Sequence, residues 1–253
     1  MVQFYHFKQM KSVASIPSSC RFIITQFIIH SIKDIPRLPA STTNLTFGAF
    51  FNQFVDEEFQ FPPSVKKLKF GWKFNKGVHK FPFSLTHLTF GYSFNQTVDN
   101  LPASLTHLTF GENFDQPVNH LPPSIIHLTF ERSFNQSVDS LPCSITHLTL
   151  GNRFNHSVDN LPSSVVRLVF GSKFNQPIDN LPTCLIHLTL GQDFNQPVNN
   201  LPPSLTHLTF DHNFNQPIDN LPPSLTHLTL LGRPIYSDKL SNSNITITYL
   251  GAE

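Results

Sequence analysis

The sequence predicts a repeat solenoid, in which short strands form one parallel β-sheet and little or no α-helix is present. Three observations support this prediction. A phrase of 20 residues recurs along most of the 253-residue chain, apolar residues alternate in a short window of each copy, and many of the 21 prolines recur in the segments between these windows. A block this short cannot bury its own apolar side chains, so neighbouring copies must stack to share a core.

The period is regular between residues 71 and 230, where eight blocks follow one another without insertion or deletion. The phenylalanine that opens each Phe-Asn or Phe-Asp pair recurs at Phe74, Phe94, Phe114, Phe134, Phe154, Phe174, Phe194 and Phe214. Ten blocks carry a clear Leu-Pro-x-Ser phrase or a close variant, and residues 16–19 are a candidate for a degenerate eleventh. Three extra residues near 57–59 lengthen one turn. We therefore assign residues 38–230 to the solenoid.

Each block encodes one strand and an extended return. In Leu-Thr-His-Leu-Thr-Phe, the apolar Leu108 and Phe110 alternate with Thr109, which is the period of a strand with one buried face. Prolines such as Pro122 and Pro123 exclude a helix across the following phrase and favour extended backbone. Stacked strands would lie about 4.7–4.9 Å apart, with leucine and phenylalanine in continuous interior columns.

The two ends of the solenoid must close its core and cover its edge strands. We expect residues 1–37 to form an N-terminal cap, in which the apolar run 22–29 is a buried strand. Residues 231–253 lose the period and are expected to form a C-terminal cap, with a last strand over residues 244–250.

The composition argues against several classes of partner. The net charge is +1 and we identify no block of like charge, so neither nucleic acid nor membrane is expected as a partner. The N-terminus lacks the apolar core of a signal peptide, and the run 22–29 is too short to span a membrane. Three cysteines that form no ladder suit reduced side chains. We expect an intracellular, cytoplasmic protein.

The phrases Phe-Asn-Gln-Pro, Leu-Pro-Pro-Ser and Leu-Thr-His-Leu-Thr-Phe recur at fixed offsets over residues 38–230. They resemble the FNIP repeats found mainly in amoebae and their giant viruses. That family is related to leucine-rich repeats, so the resemblance implies a leucine-rich-repeat-like, right-handed coil. Family members often carry an F-box and act as substrate adaptors of ubiquitin ligases. Since only about 37 residues precede the first clear block, we do not expect that role here.

The asparagine after the repeated phenylalanine is shifted from the usual leucine-rich pattern, in which asparagine stands at position 9 of the repeat. Asn195 and Asn215 instead occupy position 11, where leucine is usual. We expect these side chains to be buried amides that satisfy backbone groups of adjacent coils, because a buried backbone group without a partner costs about 1–3 kcal/mol.

The candidate functional residues flank the inward leucine of each strand, and alternation places them on the exposed sheet face. We predict that this face contacts a partner through Lys67, Lys69, His87, Thr89, His107, Thr109, His127, Thr129, His147, Thr149, Arg167, His187, Thr189, His207, Thr209, His227 and Thr229. The histidines would form a column with a spacing of about 5 Å. Like-charge repulsion would make them titrate broadly and below about 6.5.

Two other interpretations of the column stay open. Histidine and threonine can simply cover a half-exposed sheet, duplicated with the block. The column can also bind metal, although a flat column offers two ligands at a time where a site normally needs three or four. The Asp/Asn slot that includes Asp99 and Asn119 suits Asx turns better than calcium, because the chain has no glycine-rich calcium motif.

Catalysis is not expected. The chain has no phosphate-binding loop, zinc-protease motif, nucleophile elbow or paired cysteines. Repeated blocks do not supply the unique convergence of different groups that an active site needs. We therefore predict a non-catalytic protein-interaction scaffold with a protein partner, no cofactor, no metal and no small-molecule substrate. The alternatives are a structural or self-assembling surface protein and, more distantly, a metal-binding repeat protein.

Overall fold

The computed structural model describes residues 26–55, 60–231 and 245–250. In these ranges twelve strands form a single parallel sheet, and their order in the sheet is their order in the chain. The strands are β1 (Gln26–Ile29), β2 (Asn44–Phe47), β3 (Lys67–Lys69), β4 (His87–Thr89), β5 (His107–Thr109), β6 (His127–Thr129), β7 (His147–Thr149), β8 (Arg167–Val169), β9 (His187–Thr189), β10 (His207–Phe210), β11 (His227–Leu231) and β12 (Thr246–Leu250). The described residues contain one 3-10 helix, Ile32–Arg37, and no α-helix. The predicted solenoid with one parallel sheet is confirmed.

The sheet register follows the 20-residue period. His107, Leu108 and Thr109 pair with the residues that have the same names twenty positions later, at His127, Leu128 and Thr129. Since successive side chains of a strand point to opposite faces, each strand buries its central leucine and turns its two neighbours outward. Leu108 is accordingly buried, while His107 and Thr109 are half-buried.

The core consists of columns of identical side chains. Phe110 and Phe114 stack within one coil, with ring centroids 3.7 Å apart. Each also stacks on its equivalent in the coil before it, at 5.7 Å for Phe90 and 6.1 Å for Phe94. Packing of this kind gives the solenoid an interior that no single block could close, which is why the blocks must stack.

Polar and small residues hold adjacent coils at a fixed distance. The serine of the Leu-Pro-x-Ser phrase donates across to the preceding coil, as Ser104 Oγ does to the carbonyl oxygen of Leu85 at 2.7 Å. Glycine after the strand permits close approach: a Cβ at Gly111 would lie 2.0 Å from the carbonyl oxygen of Gly91. The repeated glycine therefore serves the contact between coils as well as the end of the strand.

The ends of the described sheet differ in detail from the sequence prediction. β1 covers the second half of the run 22–29, and residues 22–25 lie outside the described residues. Phe27 and Ile29 are buried but Ile28 is exposed, so this strand has one buried face and is not buried throughout. β12 lies within the predicted segment 244–250 and pairs with β11.

Several expectations fall outside the described residues. They are the degenerate copy at 16–19, the inserted turn at 57–59 and the start of the C-terminal segment at 232–244. The cap boundaries at 37 and 231 stay predictions. None of the helices in the described ranges has the length and apolar character needed to cross a membrane.

Candidate contact face

The strands β3 to β11 bring the predicted residues together on one surface. We call this surface the sheet face: the two residues that flank the inward leucine of each of these strands. Lys67, Lys69 and Arg167 are exposed there, and the histidines and threonines are half-buried except for His227, which is exposed. In-register parallel pairing turns each position of the block into a continuous column across the coils.

The histidines of the sheet face form two stacked columns. The first runs through His87, His107, His127 and His147, with ring centroids 4.1, 4.3 and 4.2 Å apart. The second runs through His187, His207 and His227 at 4.4 and 4.3 Å. Arg167 occupies the same position in β8 and separates the two. The predicted column exists, with a spacing below the 5 Å that the sequence suggested.

A hydroxyl group orients most of these rings. Thr106 Oγ1 lies 2.9 Å from His107 Nδ1, and the same contact, at 2.8–2.9 Å, precedes four other histidines. The same hydroxyl donates to the carbonyl oxygen of Thr86 at 3.0 Å, and the four equivalent threonines make the same bond to the preceding coil. Because its hydrogen is directed to that carbonyl, the hydroxyl oxygen accepts from Nδ1–H. That leaves Nε2 of the neutral ring, at the outer edge of the imidazole, without a proton and able to accept a hydrogen bond from a ligand.

Five histidines of the sheet face have lowered pKa values: His87, His107, His147, His187 and His207. Burial is the main cause, because it penalises the charged form. Neighbouring positive charges add to it, and Lys67 acts in this way on His87 and His107. Like-charge repulsion, which the sequence predicts as the cause, is second to burial. These rings are therefore mostly neutral at pH 7.

The threonines after the inward leucine form a second column. Within the described residues, none of the hydroxyl groups of Thr89, Thr109, Thr129, Thr149, Thr189, Thr209 and Thr229 has a side-chain hydrogen bond. Val169 replaces threonine beside Arg167. The sheet face thus offers a row of imidazole nitrogen acceptors beside a row of threonine hydroxyl groups without side-chain hydrogen bonds, and Arg167 and Val169 interrupt both rows.

The described residues provide no ready metal site. No group of three or more His, Cys, Asp or Glu side chains in those ranges is placed to hold a metal ion. The stacked imidazoles offer one ring per coil, and Nδ1 of five of them is already engaged.

The shifted asparagines connect consecutive coils. Asn95 Oδ1 accepts the backbone N–H of Asp115 and the side-chain amide of Gln116, each at 3.0 Å. The same backbone contact runs through the other coils from Asn52 to Asn215. The expected role is confirmed for the backbone N–H groups. The expected burial is wrong, since these side chains are half-buried or exposed.

One coil of the solenoid carries a concentration of positive charge that the net charge of the chain does not reveal. Residues 60–80 carry six lysines and no acidic residue, whereas residues 81–231 carry ten acidic residues and four Lys or Arg. The statement that the chain has no block of like charge is therefore wrong for the coil 60–80, which we call the basic coil. Near-neutral net charge concealed it, and counting charge block by block would have shown it.

The basic coil also carries an exposed aromatic residue. Trp72 follows β3 and stacks on Tyr92 of the next coil, with ring centroids 4.2 Å apart and planes 2° from parallel. More than half of the Trp72 surface is exposed, at 55%. The period predicts phenylalanine in interior columns, and this Trp–Tyr pair lies outside those columns.

A shallow groove lies where the strands end. In coils 112–171 its volume is about 410 Å³, and its lining includes Thr149 and Val169 on the sheet face and Glu112, Arg132 and Asn152 in the turns after the strands. Trp72 occupies the same position of the repeat as Glu112, two coils before it. Lys69 occupies the same position as Thr149, four coils before it. By translation along the solenoid, Lys69 and Trp72 border the same edge of the sheet.

Comparison with known proteins identifies the repeat. The family model described as FNIP Repeat matches residues 34–73, 74–113, 94–131, 114–153, 134–173, 174–200 and 194–232. No curated protein matches the chain at a significant level.

Two solved structures share the architecture. CroV588, a circular leucine-rich-repeat protein from a giant virus, is 38% identical over 85% of this chain, with a TM-score of 0.66. The structure of TLR13 in complex with ssRNA13 is 13% identical over 94% of the chain, with a TM-score of 0.64, and shows likeness of fold alone. The chain spans 40% of the length of the first structure and 45% of the second.

Proposed function

This chain belongs to the FNIP repeat family, and from that membership we propose that it is a non-catalytic scaffold that binds a protein partner through the sheet face. The observation that supports this proposal is the geometry of the sheet face. In-register strands align exposed or half-buried polar side chains over nine consecutive coils. A rigid, extended surface of repeated groups is suited to contacting another macromolecule.

The chemistry of the face supports binding more than catalysis. Each histidine is repeated and stacks on its own copies, and among the described residues no Asp or Glu forms an ion pair with it, so the contacts are the same in each coil and no unique site is formed. Outward imidazole nitrogen acceptors and threonine hydroxyls can hydrogen-bond a partner without burying a charge, because the rings with lowered pKa values are mostly neutral at pH 7. Arg167 and the basic coil break the repetition and supply the positions at which one partner can be distinguished from another.

Quantitative affinity capture tests the proposal. The wild-type protein is compared with a face variant, His107→Ala with Arg167→Ala, and with a control variant, Asn119→Ala with Asn199→Ala. The control residues are exposed on the return segments of their coils. The proposal expects a protein that the wild type and the control capture equally and that the face variant loses. The same protein must bind the purified wild type directly.

Two outcomes would contradict this proposal. A partner retained by the face variant and lost by the control variant would move the interface to the return side. Concentration-dependent oligomers in sedimentation velocity, with no captured partner, would favour the structural or self-assembling alternative.

A further inference from the structure

We propose that the basic coil is a docking site for an acidic, extended peptide segment with carboxylates at alternate positions. This inference rests on the proposed function, because it names the chemistry of the partner at one end of the sheet face. The site consists of Lys66, Lys67, Lys69, Trp72, Lys73 and Tyr92.

Among the described residues, no carboxylate forms an ion pair with the lysines of this site. Lys66, Lys67, Lys69 and Lys73 are all exposed, and none takes part in an ion pair within the described ranges. The charge of Lys67 also acts on its neighbours, since it lowers the pKa values of His87 and His107 in the adjoining strands. A ligand that brings carboxylates to this coil would relieve that repulsion.

The spacing of two lysines matches an extended peptide. Lys67 and Lys69 flank the inward Leu68 in β3, so both stand on the sheet face two residues apart. At about 3.3–3.4 Å per residue, their Cα atoms are roughly 6.7 Å apart. Carboxylates at alternate positions of an extended chain have the same spacing, so a peptide laid along β3 can pair with both lysines.

Trp72 and Tyr92 give the site an apolar end. Both lie beyond the strands, at the edge that Lys69 also borders, and their rings are stacked. Stacking holds the indole in place, so little side-chain entropy is lost when a ligand contacts it. Trp and Tyr are among the residues that most often dominate binding energy at protein interfaces. A side chain that follows the acidic positions of the peptide can therefore pack against this pair.

The charge distribution favours a peptide over a nucleic acid. A single-stranded nucleic acid needs a positive groove that follows its backbone over several nucleotides. Here the lysines of the site occupy one coil, the sequence directly before it contains Asp56, Glu57 and Glu58, and residues 81–231 carry an excess of six acidic residues over Lys and Arg. The next coils offer His87 and His107, which are mostly neutral at pH 7. A short acidic segment fits a patch one coil wide, whereas a longer phosphate backbone would meet negative charge.

Trp72 is the single tryptophan of the chain, so its fluorescence reports on the site directly. The probe is the capped peptide Glu-Thr-Glu-Thr-Glu-Thr-Leu, and its control replaces each Glu by Gln. The acidic peptide should change the emission of Trp72 in a saturable way. Raising the salt from about 0.05 to about 0.3 M should weaken binding, because exposed ion pairs are screened.

Two repeat-restoring variants test which lysines matter. Lys67→His with Lys69→Thr converts β3 to the His-Leu-Thr phrase of the neighbouring strands, so the fold is expected to persist. It should bind the peptide roughly tenfold more weakly, which is what loss of two partly exposed ion pairs amounts to. Arg132→Asn with Arg153→Ser removes two positive charges from the turns after β6 and β7, each toward the residue that a neighbouring coil carries at that position, and should leave peptide binding unchanged.

Three results would overturn the inference: equal binding of the Glu and Gln peptides, unchanged peptide binding by the β3 variant, or tighter binding of a ten-nucleotide oligothymidylate that the β3 variant loses. The last would assign the basic coil to nucleic acid. None of these results bears on whether a partner captured by the wild type depends on His107 and Arg167, so the proposed function fails or stands separately.

Discussion

The hydroxyl oxygen of Thr106 lies 2.9 Å from Nδ1 of His107. Because the same hydroxyl donates to the carbonyl oxygen of Thr86 at 3.0 Å, its oxygen accepts from the ring. This contact holds the proton of the neutral imidazole on Nδ1 and leaves Nε2 as the outward nitrogen atom. It turns a repeated pair of residues into a row of outward acceptors.

We expect His107 to be an Nδ1–H tautomer, which nitrogen chemical shifts measured by NMR would show. Thr106→Val should shift the ring toward the Nε2–H tautomer, since Nδ1–H then loses its acceptor. Thr109→Val is the matched control, because the same change is made on the sheet face without touching Nδ1. A ring that is mainly Nε2–H in the wild type would contradict the assignment.

Folding stability should fall as the pH drops below about 6.5, the value expected for histidine in the unfolded chain. Five histidines of the sheet face have lower pKa values in the folded state, so the unfolded state takes up more protons in that window. The stabilisation is complete above the unfolded-state value and is lost on acidification. Urea unfolding at several pH values between about 5 and 8 measures it.

The contribution of Lys67 to these lowered pKa values can be measured separately, because the lysine acts on some histidines of the sheet face and not on others. Lys67→Thr should raise the pKa values of His87 and His107, on which the lysine acts, and leave His207 unchanged. Stability that is independent of pH in this range, or that increases on acidification, would show that the rings do not titrate as the structure indicates.

Asn155→Ala should lower the free energy of unfolding by about 1 kcal/mol. Asn155 Oδ1 accepts the backbone N–H of Asn175 and the side-chain amide of Gln176, each at 3.0 Å. The estimate is at the low end for such a loss, because the site is exposed and water can replace the acceptor. Denaturant unfolding gives the difference.

Asn155→Asp is the matched control, because it keeps the acceptor oxygen that connects consecutive coils. Asp115 already fills the equivalent position and accepts the backbone N–H of Asn135 at 2.9 Å. This variant should retain most of the wild-type stability. Equal destabilisation by Ala and Asp would show that the amide group, and not the acceptor oxygen, is required.

Phe134→Leu should destabilise the protein more than Phe130→Leu does. Both rings are buried and stack on each other at 3.7 Å. Leucine already occupies the Phe130 position at Leu150, Leu190 and Leu230, so we expect a cost of about 1 kcal/mol there. The Phe134 position holds phenylalanine in every coil from Phe74 to Phe214, and its loss opens a cavity between two rings, at about 2–3 kcal/mol. Equal losses in denaturant unfolding would contradict the distinction between the two columns.

The fold and the positions of the columns could be read from the sequence because the period is local information. A repeat of 20 residues with an alternating Leu-Thr-Phe phrase leaves one way to bury Leu108 and Phe110 together, and stacking then places His107 and Thr109 outside. The coil-bridging role of Asn195 was also predictable, since backbone groups in a stacked coil need partners. Its burial was not, because the amide reaches its partner from the edge of the coil.

Only the tertiary structure decides two features, the tautomer of His107 and the grouping of Lys69, Trp72 and Tyr92, because both depend on distances between coils. The period shows that His107 recurs. Which ring nitrogen carries the proton depends on the Thr106 hydroxyl, which contacts Nδ1 of His107 and donates to the carbonyl oxygen of Thr86 in the preceding coil. Likewise Lys69, Trp72 and Tyr92 are ordinary deviations from the repeat when read singly. Stacking of the coils brings these residues to one edge of the sheet, next to coils of opposite charge. The period does not show this grouping, because it records the order of residues along the chain, whereas electrostatic and aromatic contacts depend on distances in space.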